Sequence, residues 1–319
     1  MPSEISVSII NYKTGDMTLS CVQSVLDDIG DLAVDIVVVD NASGDGSAEQ
    51  IAEWIAAHPN MPVKLVRSDE NTGFSGGHNL GITNSDGAYV LVLNSDALLK
   101  KGFLKAIMDR ANSAPNAGMI APRLVGDDGT EQISRFRFAS PLSELERAAA
   151  TGPITKLLRR SLVALPKGAP EDKIDWASFA CILLNRDMIN QIGLMDDDYF
   201  LYFEDAEYCL RAQRAGWRIV VTDLATAIHF RGGSGPVKAL EKARKRMPTY
   251  FYASRSRFLR QAHGYSGLIL ANLCWHLGRA IAHLKRLAGK EVYPAVENEA
   301  RDIWIGARAP LKPYRQANQ

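Results

Sequence analysis

The sequence predicts an α/β fold with a mostly parallel central sheet flanked by helices, and three observations carry that expectation. Apolar runs alternate with segments of helical period through the first half of the chain. One run, Ile36-Val37-Val38-Val39, is apolar without a break, as a strand covered on both faces must be. The runs end in polar residues, Asn11-Tyr12, Asp40-Asn41-Ala42-Ser43 and Asn94-Ser95-Asp96, at the strand ends where open α/β sheets hold ligands.

The elements follow in order. Ile5 to Ile10 is a β-rich run, and Leu19, Val22 and Leu26 mark a helix after a cap at Asp16. Ser47-Ala-Glu-Gln50 has capping-box form ahead of Ile51, Trp54 and Ile55. Val63 to Val66 and Tyr89 to Leu93 are further strands. Gly126-Asp-Asp-Gly129 marks a turn, and from there to about residue 172 the pattern is weak and broken by Pro141, Pro153, Pro166 and Pro170. That stretch reads as an insertion near an acceptor. Patterning resumes with a strand around Phe179 to Leu184, a helix after Glu204, and strands at Arg218 to Val221 and Ala225 to His229. Beyond Gly235 the chain is expected to be helical to about residue 290, with a polar tail.

Composition narrows the class. The 319 residues are 23% charged and 46% hydrophobic with a formal net charge of +1, so nothing global points to nucleic acid. Cys21, Cys181, Cys209 and Cys274 form no C-x-x-C pair, which suits reduced thiols in a cytoplasmic protein. The start, MPSEISVSII, does not have the form of a secretory signal. The most apolar stretch, Leu268 to Leu287, is interrupted by Asn272, His276, Arg279, His283, Lys285 and Arg286 and is too polar to span a bilayer. The expectation is a protein in solution or on a membrane surface.

A glycine-rich segment, Asn71-Thr-Gly73-Phe-Ser-Gly76-Gly77-His-Asn79, would let backbone approach a ligand and offer helix N–H groups to an anion. G-x-G-x-x-G after a first strand and G-x-x-x-x-G-K-[ST] are both absent, which argues against a nicotinamide cofactor and a P-loop ATPase.

Taken together, Val7 to Tyr12, VVVDNASGDGS (37–47), NTGFSGGHNLGI (71–82) and LVLNSD (91–96) resemble the donor-binding half of glycosyltransferase family 2, whose fold is GT-A. FLYFEDAEYCLRAQRAGW (200–217) and the histidine of ATAIHF resemble its catalytic half. The branch resembled is the rhamnosyltransferase-like group of bacterial cell-wall and O-antigen assembly. The likeness spans about residues 5 to 235. It implies a catalytic domain over 1–235, divided into a nucleotide-sugar half (1–125), a variable insertion (126–172) and an acceptor half (173–235). A basic helical extension follows over 236–319.

The resemblance implies roles. Asp40 would bind the base or ribose, and its carboxylate accepting from ring N3–H favours uracil or thymine, hence a UDP- or dTDP-linked donor. Asn11 and Asn79 would support the same nucleoside, with Tyr12, Asn41, Ser43, Asn71, Gly73, Phe74 and Gly76 around the donor. Asn94-Ser95-Asp96 stands where the family has D-x-D; Asp96 and His229 would hold Mg²⁺ or Mn²⁺ against the diphosphate. Asn94 departs from that motif and removes one carboxylate from the metal site. Arg231 would clamp the diphosphate. Asp205 would be the general base of an inverting transfer, with Glu204 orienting it or the acceptor. A helix N-terminus lowers such a carboxyl's pKa and aromatic walls raise it, and the sequence leaves that balance open. Trp176 and Ser178 would face the acceptor, while Phe179 is as readily core.

The processive Q-x-x-R-W is absent, as RAQRAGW (211–217) shows, which implies single additions. From Lys238 to Lys290 only Glu241 opposes a dozen Lys and Arg residues, and Leu268, Ile269, Leu273, Leu277, Ile281 and Leu284 have helical spacing. This tail suits an anionic inner membrane face and a lipid-linked acceptor, packing on the catalytic domain, or a homodimer contact. Two rival functions stand beside the transferase. A sugar nucleotidyltransferase would need a glycine-rich phosphate loop where Asn11-Tyr-Lys-Thr-Gly15 lies, and a noncatalytic glycan-binding protein is favoured by Asn94 alone.

Overall fold

The computed structural model describes residues 3–230 and 237–313. Its strands are β1 (Ile5–Asn11), β2 (Val34–Asp40), β3 (Val63–Arg67), β4 (Tyr89–Asn94), β5 (Ala97–Leu99), β6 (Ala117–Val125), β7 (Arg135–Phe136), β8 (Trp176–Ala177), β9 (Cys181–Asn185) and β10 (Arg218–His229). Eight form one sheet in the order β3-β2-β1-β4-β9-β6-β10-β5, and β7 pairs with β8 alone. The pairings among β1 to β4 are parallel, as is β6 with β10. β9 runs antiparallel between β4 and β6, and β5 antiparallel on β10. The sheet is therefore mixed, with its parallel character concentrated among β1 to β4.

Alternation explains why the strand runs are apolar throughout. Leu91 and Leu93 of β4, with Cys181 and Leu183 of β9, enter the core on one face. Val90 and Val92, with Ile182 and Leu184, enter the core on the other. Both faces are covered, so every position must be apolar.

Three local expectations are corrected. The segments Arg218 to Val221 and Ala225 to His229 are one strand, β10, with a register irregularity between Val221 and Thr226 that looks like a turn in sequence. Ser47 does not cap helix α2 (Ser47–Ala57); Gly46 precedes it in a left-handed conformation, and the Ser47 hydroxyl donates to Asp45 at 2.6 Å. Asp16 is not the cap of α1 (Gly15–Leu26) either, since Thr14 holds that place and Asp16 accepts from Gln50.

The remaining helices are α3 (Gly73–Thr83), α4 (Phe103–Asn112), α5 (Pro141–Ala149), α6 (Gly152–Leu157), α7 (Arg186–Ile192), α8 (Glu204–Arg214), α9 (Val237–Lys242), α10 (Thr249–Leu287) and α11 (Glu299–Asp302). The weakly patterned insertion and the C-terminal helix pack together. Gly278 of α10 sits so close to α5 that a Cβ there would lie 2.5 Å from the Leu145 carbonyl oxygen. Beside it, buried Arg255 bonds Glu144 at 2.9 Å and Asn272 at 2.8 Å. Burial opposes the Glu144 charge, but Arg147 and Arg255 overcome it and hold that carboxyl at about 2. No helix among the described residues is long and apolar enough to cross a membrane.

Candidate active site

The C-terminal ends of β1, β2 and β4 are tied together by buried side chains. Asn11 is fully buried and donates to Asp40 at 2.7 Å and to the Ser47 hydroxyl at 2.8 Å. Ser43 donates to the same Asp40 oxygen at 2.6 Å, and its backbone N–H reaches the other oxygen at 3.3 Å. On its far side, the Asn11 side-chain amide oxygen accepts from the backbone N–H and hydroxyl of Thr14, whose hydroxyl lies 3.1 Å from that of Ser95. A relay of polar atoms thus joins Asp40 to the Asn94-Ser95-Asp96 segment. Tyr12 stays exposed at the end of β1, with the Lys13 ammonium 5.2 Å from its ring centre.

β5 and β10 bring Asp96 to His229. The strands pair Ala97 with His229, and the Phe230 N–H donates to the Asp96 carbonyl. His229 Nε2 then lies 3.4 Å from the Asp96 carboxylate, both side chains being nearly buried. The other ring nitrogen, Nδ1, is 3.3 Å from the Gln132 amide oxygen, and the Gln132 amide donates to the His229 carbonyl at 2.7 Å. Gln132 was not anticipated from sequence. The Gly126–Gly129 turn folds the chain back along the end of β6, and that hairpin delivers it.

A carboxylate oxygen and an imidazole nitrogen, with the second ring nitrogen oriented by an amide, is a donor set that fits a divalent cation. The acidic trio Asp196, Asp197 and Asp198 does not compete for this role, because Arg257 spans Asp196 and Asp198. Arg231 lies outside the described residues.

The Glu204–Asp205 carboxyl pair of the second half is presented by a strained turn. Tyr202 and Phe203, neither of them glycine, have φ of 71° and 69° immediately before α8. Phe203 stacks on Phe258, Ser254 donates to the Leu201 carbonyl, and Tyr199 donates to Gln261, so α10 holds this loop from behind. The Glu204 carboxyl is buried, and one of its oxygens has no hydrogen-bond partner. Burial first, then the charge of Asp205, raises its pKa well above the carboxylate range. Burial also pushes the half-buried Asp205 up to about 7, against the opposing backbone N–H groups of Ala206, Asp205 and Phe179. Desolvation therefore outweighs the helix N-terminus.

Phe179 connects the two halves. Its neighbour Ala180 accepts from the Asn94 N–H at 2.9 Å, so Asp205 and the Asn94-Ser95-Asp96 segment flank the same entry to β9.

A model of the family "Glycosyl transferase family 2" matches residues 6–169, just over half of the chain. This chain belongs to glycosyl transferase family 2. An N-acetylglucosaminyl-diphospho-decaprenol L-rhamnosyltransferase of Mycobacterium tuberculosis is 28% identical over 267 residues, covering 78% of this chain and 81% of the relative. The low-salt glycan biosynthesis hexosyltransferase Agl10 of Haloferax volcanii is 27% identical over 237 residues, 72% of this chain and 68% of the relative. The fold matches that of the Pyrobaculum calidifontis mannosyltransferase PcManGT, solved with GDP-Man and Mn²⁺, at a TM-score of 0.57 and 15% identity; 91% of this chain and 77% of that one are covered. The protein is a glycosyltransferase of GT-A fold with a helical C-terminal stretch.

The glycine segment approaches other parts of the protein closely. A Cβ on Gly73, where φ is +71°, would lie 2.0 Å from the Phe200 carbonyl oxygen; on Gly77, 2.8 Å from Ile10. A Cβ on Gly76 would meet the Thr72 side chain at 2.4 Å. Three N–H groups at this helix start are engaged within the protein: Thr72 donates to Asn41, Gly73 to Asn71, and Phe74 to Phe200. Gly77 docks α3 onto β1, and Gly73 docks it onto the loop that precedes Glu204 and Asp205. Asn41 completes the joint by donating to Asn71 and to the Gly73 carbonyl. Gly73→Ala is expected to cost ~1–2 kcal/mol from its left-handed backbone alone, and more from the clash. Thermal unfolding and transfer rate should fall together.

Asn79 has a structural partner as well. Its amide bonds both the N–H and the carbonyl of Met195, so it braces the loop before α8. Trp176 stacks on Phe136 with ring centres 4.2 Å apart and donates to the Arg137 carbonyl, joining the insertion to β8. The Ser178 hydroxyl lies 3.3 Å from the Ala180 N–H, close to the entry of β9. Phe179 is core, edge-on to Tyr208.

Glu204 is expected to be protonated at neutral pH, where Gln mimics it. Glu204→Gln should keep most of its activity. A carboxyl whose folded pKa is raised takes up a proton on folding, so wild-type stability falls as pH rises above the ordinary Glu value of about 4.3. Gln lacks that loss, and the Tm advantage of Glu204→Gln should grow between pH 5 and pH 8. A variant equally inactive at every pH would assign Glu204 a charged role.

Proposed function

We propose that this glycosyltransferase is an inverting, metal-assisted enzyme that moves one sugar from a nucleotide diphosphate donor to an acceptor hydroxyl. The observation that carries the reading is the common flank of Asp205 and Asn94-Ser95-Asp96 at the entry to β9. A proton acceptor and an anchor for a departing diphosphate belong on either side of one anomeric carbon.

The residues divide the work. Asp40, stiffened by Asn11 and Ser43, accepts a hydrogen bond from the base, and exposed Tyr12 offers a face beside it. Asp96 and His229 would hold Mg²⁺ or Mn²⁺, whose charge offsets that on the leaving diphosphate. Gln132 fixes the imidazole orientation. Arg231 is assigned to the diphosphate. Asp205 takes the proton of the acceptor hydroxyl as that oxygen attacks, and a pKa near 7 makes it a stronger base than an ordinary aspartate at neutral pH. The acceptor is assigned to the side where Ser178 and Trp176 lie. Catalysis is assigned to residues 1–235, and 236–319 is the extension that backs the base loop.

The donor proposed is dTDP-rhamnose, with a UDP-sugar as the alternative, and the acceptor is a hydroxyl of a lipid-linked or surface glycan at the cytoplasmic face of the cell membrane. The mycobacterial relative supports this choice. Thermal-shift screening of UDP-, dTDP-, CDP- and GDP-sugars, each with and without Mn²⁺, tests it. The expected outcome is metal-dependent stabilisation by the uracil or thymine nucleotides. A preference for GDP would overturn the Asp40 assignment.

A further inference from the structure

The segment between α7 and α8, which presents Glu204 and Asp205, is under two opposing demands. Asp196, Asp197 and Asp198 follow one another, and each has a carboxylate oxygen within 4.8 Å of the other two. Like charges at that separation repel. Further on, Tyr202 and Phe203 have left-handed backbone, which lasts only where the surroundings over-determine it. Residues 193–203 form no helix or strand that could supply such support.

Arg257 of α10 answers the first demand and contributes to the second. Its Nε and Nη2 donate to the two oxygens of Asp196 at 3.0 and 3.2 Å, and Nη2 donates to Asp198 as well. The guanidinium also lies 5.5 Å from the ring centre of Tyr199. Nη1 donates to the Leu311 carbonyl at 2.8 Å, so the C-terminal segment fixes the fork from the other side. Arg257 is only 8% exposed, and among the described residues it makes the only ion pairs of this segment. The other ties to α10, from Ser254 to Leu201 and from Tyr199 to Gln261, are between neutral groups. Lysine could not replace it, because a point cation cannot bridge two carboxylates and a carbonyl in one plane.

We propose that Arg257 is a positioning residue for the transfer: by clamping Asp196 and Asp198 it sets the turn that follows, and so the place of Asp205 at the entry to β9. Arg257 and Leu311 both belong to the extension over 236–319, which thereby takes part in the reaction without touching substrate. The assignment rests on the proposed role of Asp205 as base.

Arg257→Ala is expected to lower kcat about 100-fold, the effect of moving a reacting group by about 1 Å, with KM for dTDP-rhamnose and Mn²⁺-dependent dTDP affinity unchanged. Arg257→Lys should recover only a small part of the loss. A cavity of about 370 Å³ opens beside Arg257, between Asp198 and Trp304, and gives a free cation a way in. Guanidinium chloride, far below denaturing concentrations, should restore part of the Arg257→Ala rate in a saturable manner and do nothing for Asp205→Asn. Should Arg257→Ala fail to fold, Asp198→Ala carries the test, since that partly exposed side chain is one of two ties. It should lose about tenfold in kcat with dTDP affinity intact, while Asp197→Ala, exposed and not bonded to Arg257, should match the unaltered enzyme. A folded Arg257→Ala with full kcat overturns the proposal, as does a loss of rate that donor affinity follows in equal measure, or an Asp198→Ala as active as Asp197→Ala. An Asp205→Asn of undiminished rate would instead remove the base reading itself, so the two failures are distinct.

Discussion

Asp205→Asn is expected to cut transfer about 10³-fold or more while donor affinity is retained, because an amide cannot take the acceptor proton. The same variant tests the environment of the carboxyl. With burial holding Asp205 at about 7, the rate of the unaltered enzyme should rise with pH through that value and level off above it. The active form is the carboxylate, so the limb descends on the acid side. In Asp205→Asn the residual rate should lose that limb. Single-turnover transfer across pH 5 to 9, beside donor titration, reads both quantities. A limb near pH 4 would mean that solvent reaches the carboxyl; an unchanged rate in the variant would remove Asp205 from the chemistry.

The second large effect is expected at Asp96. Asp96→Ala should abolish metal-dependent donor binding and lower turnover at least about 100-fold, and His229→Ala should do nearly as much. Gln132→Ala should cost about tenfold, since it orients the imidazole without touching the cation. Mn²⁺ binding in the presence of nucleoside diphosphate, followed by electron paramagnetic resonance, gives a readout independent of turnover. Chelation should reduce the unaltered enzyme to the level of Asp96→Ala. A variant that kept full Mn²⁺ affinity would show that the 3.4 Å pair has a structural purpose only.

Much of this architecture was legible because periodicity and strand-end polarity are local signals. The runs that became β1, β2, β3 and β4 sit where their apolar alternation put them, and β1, β2 and β4 end in residues of the candidate site. What local pattern could not carry was order. Nothing in Cys181 to Asn185 says that it runs antiparallel between β4 and β6, yet that insertion is what brings Phe179, and so Asp205, to Asn94. Glycine shows where a chain may approach another atom and not which atom; at Gly73 it proved to be Phe200. The tie of Asn79 to Met195 was hidden for a similar reason, the two lying 116 residues apart. Gln132 carried no signal at all beyond the turn that precedes it. The mixed roles of the C-terminal segment became visible only once Phe258 and Gln261 were seen against the loop of the base.

The path from Asp40 through Asn11 and Thr14 to Ser95 has a consequence for how such an enzyme can diversify. On the proposed assignments, the two recognition tasks of reading the base and retaining the ion would draw on a single lattice of shared protons. Reciprocity then follows: a nucleotide that tightens this lattice raises cation affinity by the same factor that the cation raises its own. A lineage that drifted toward a new base would inherit an altered appetite for metal with it.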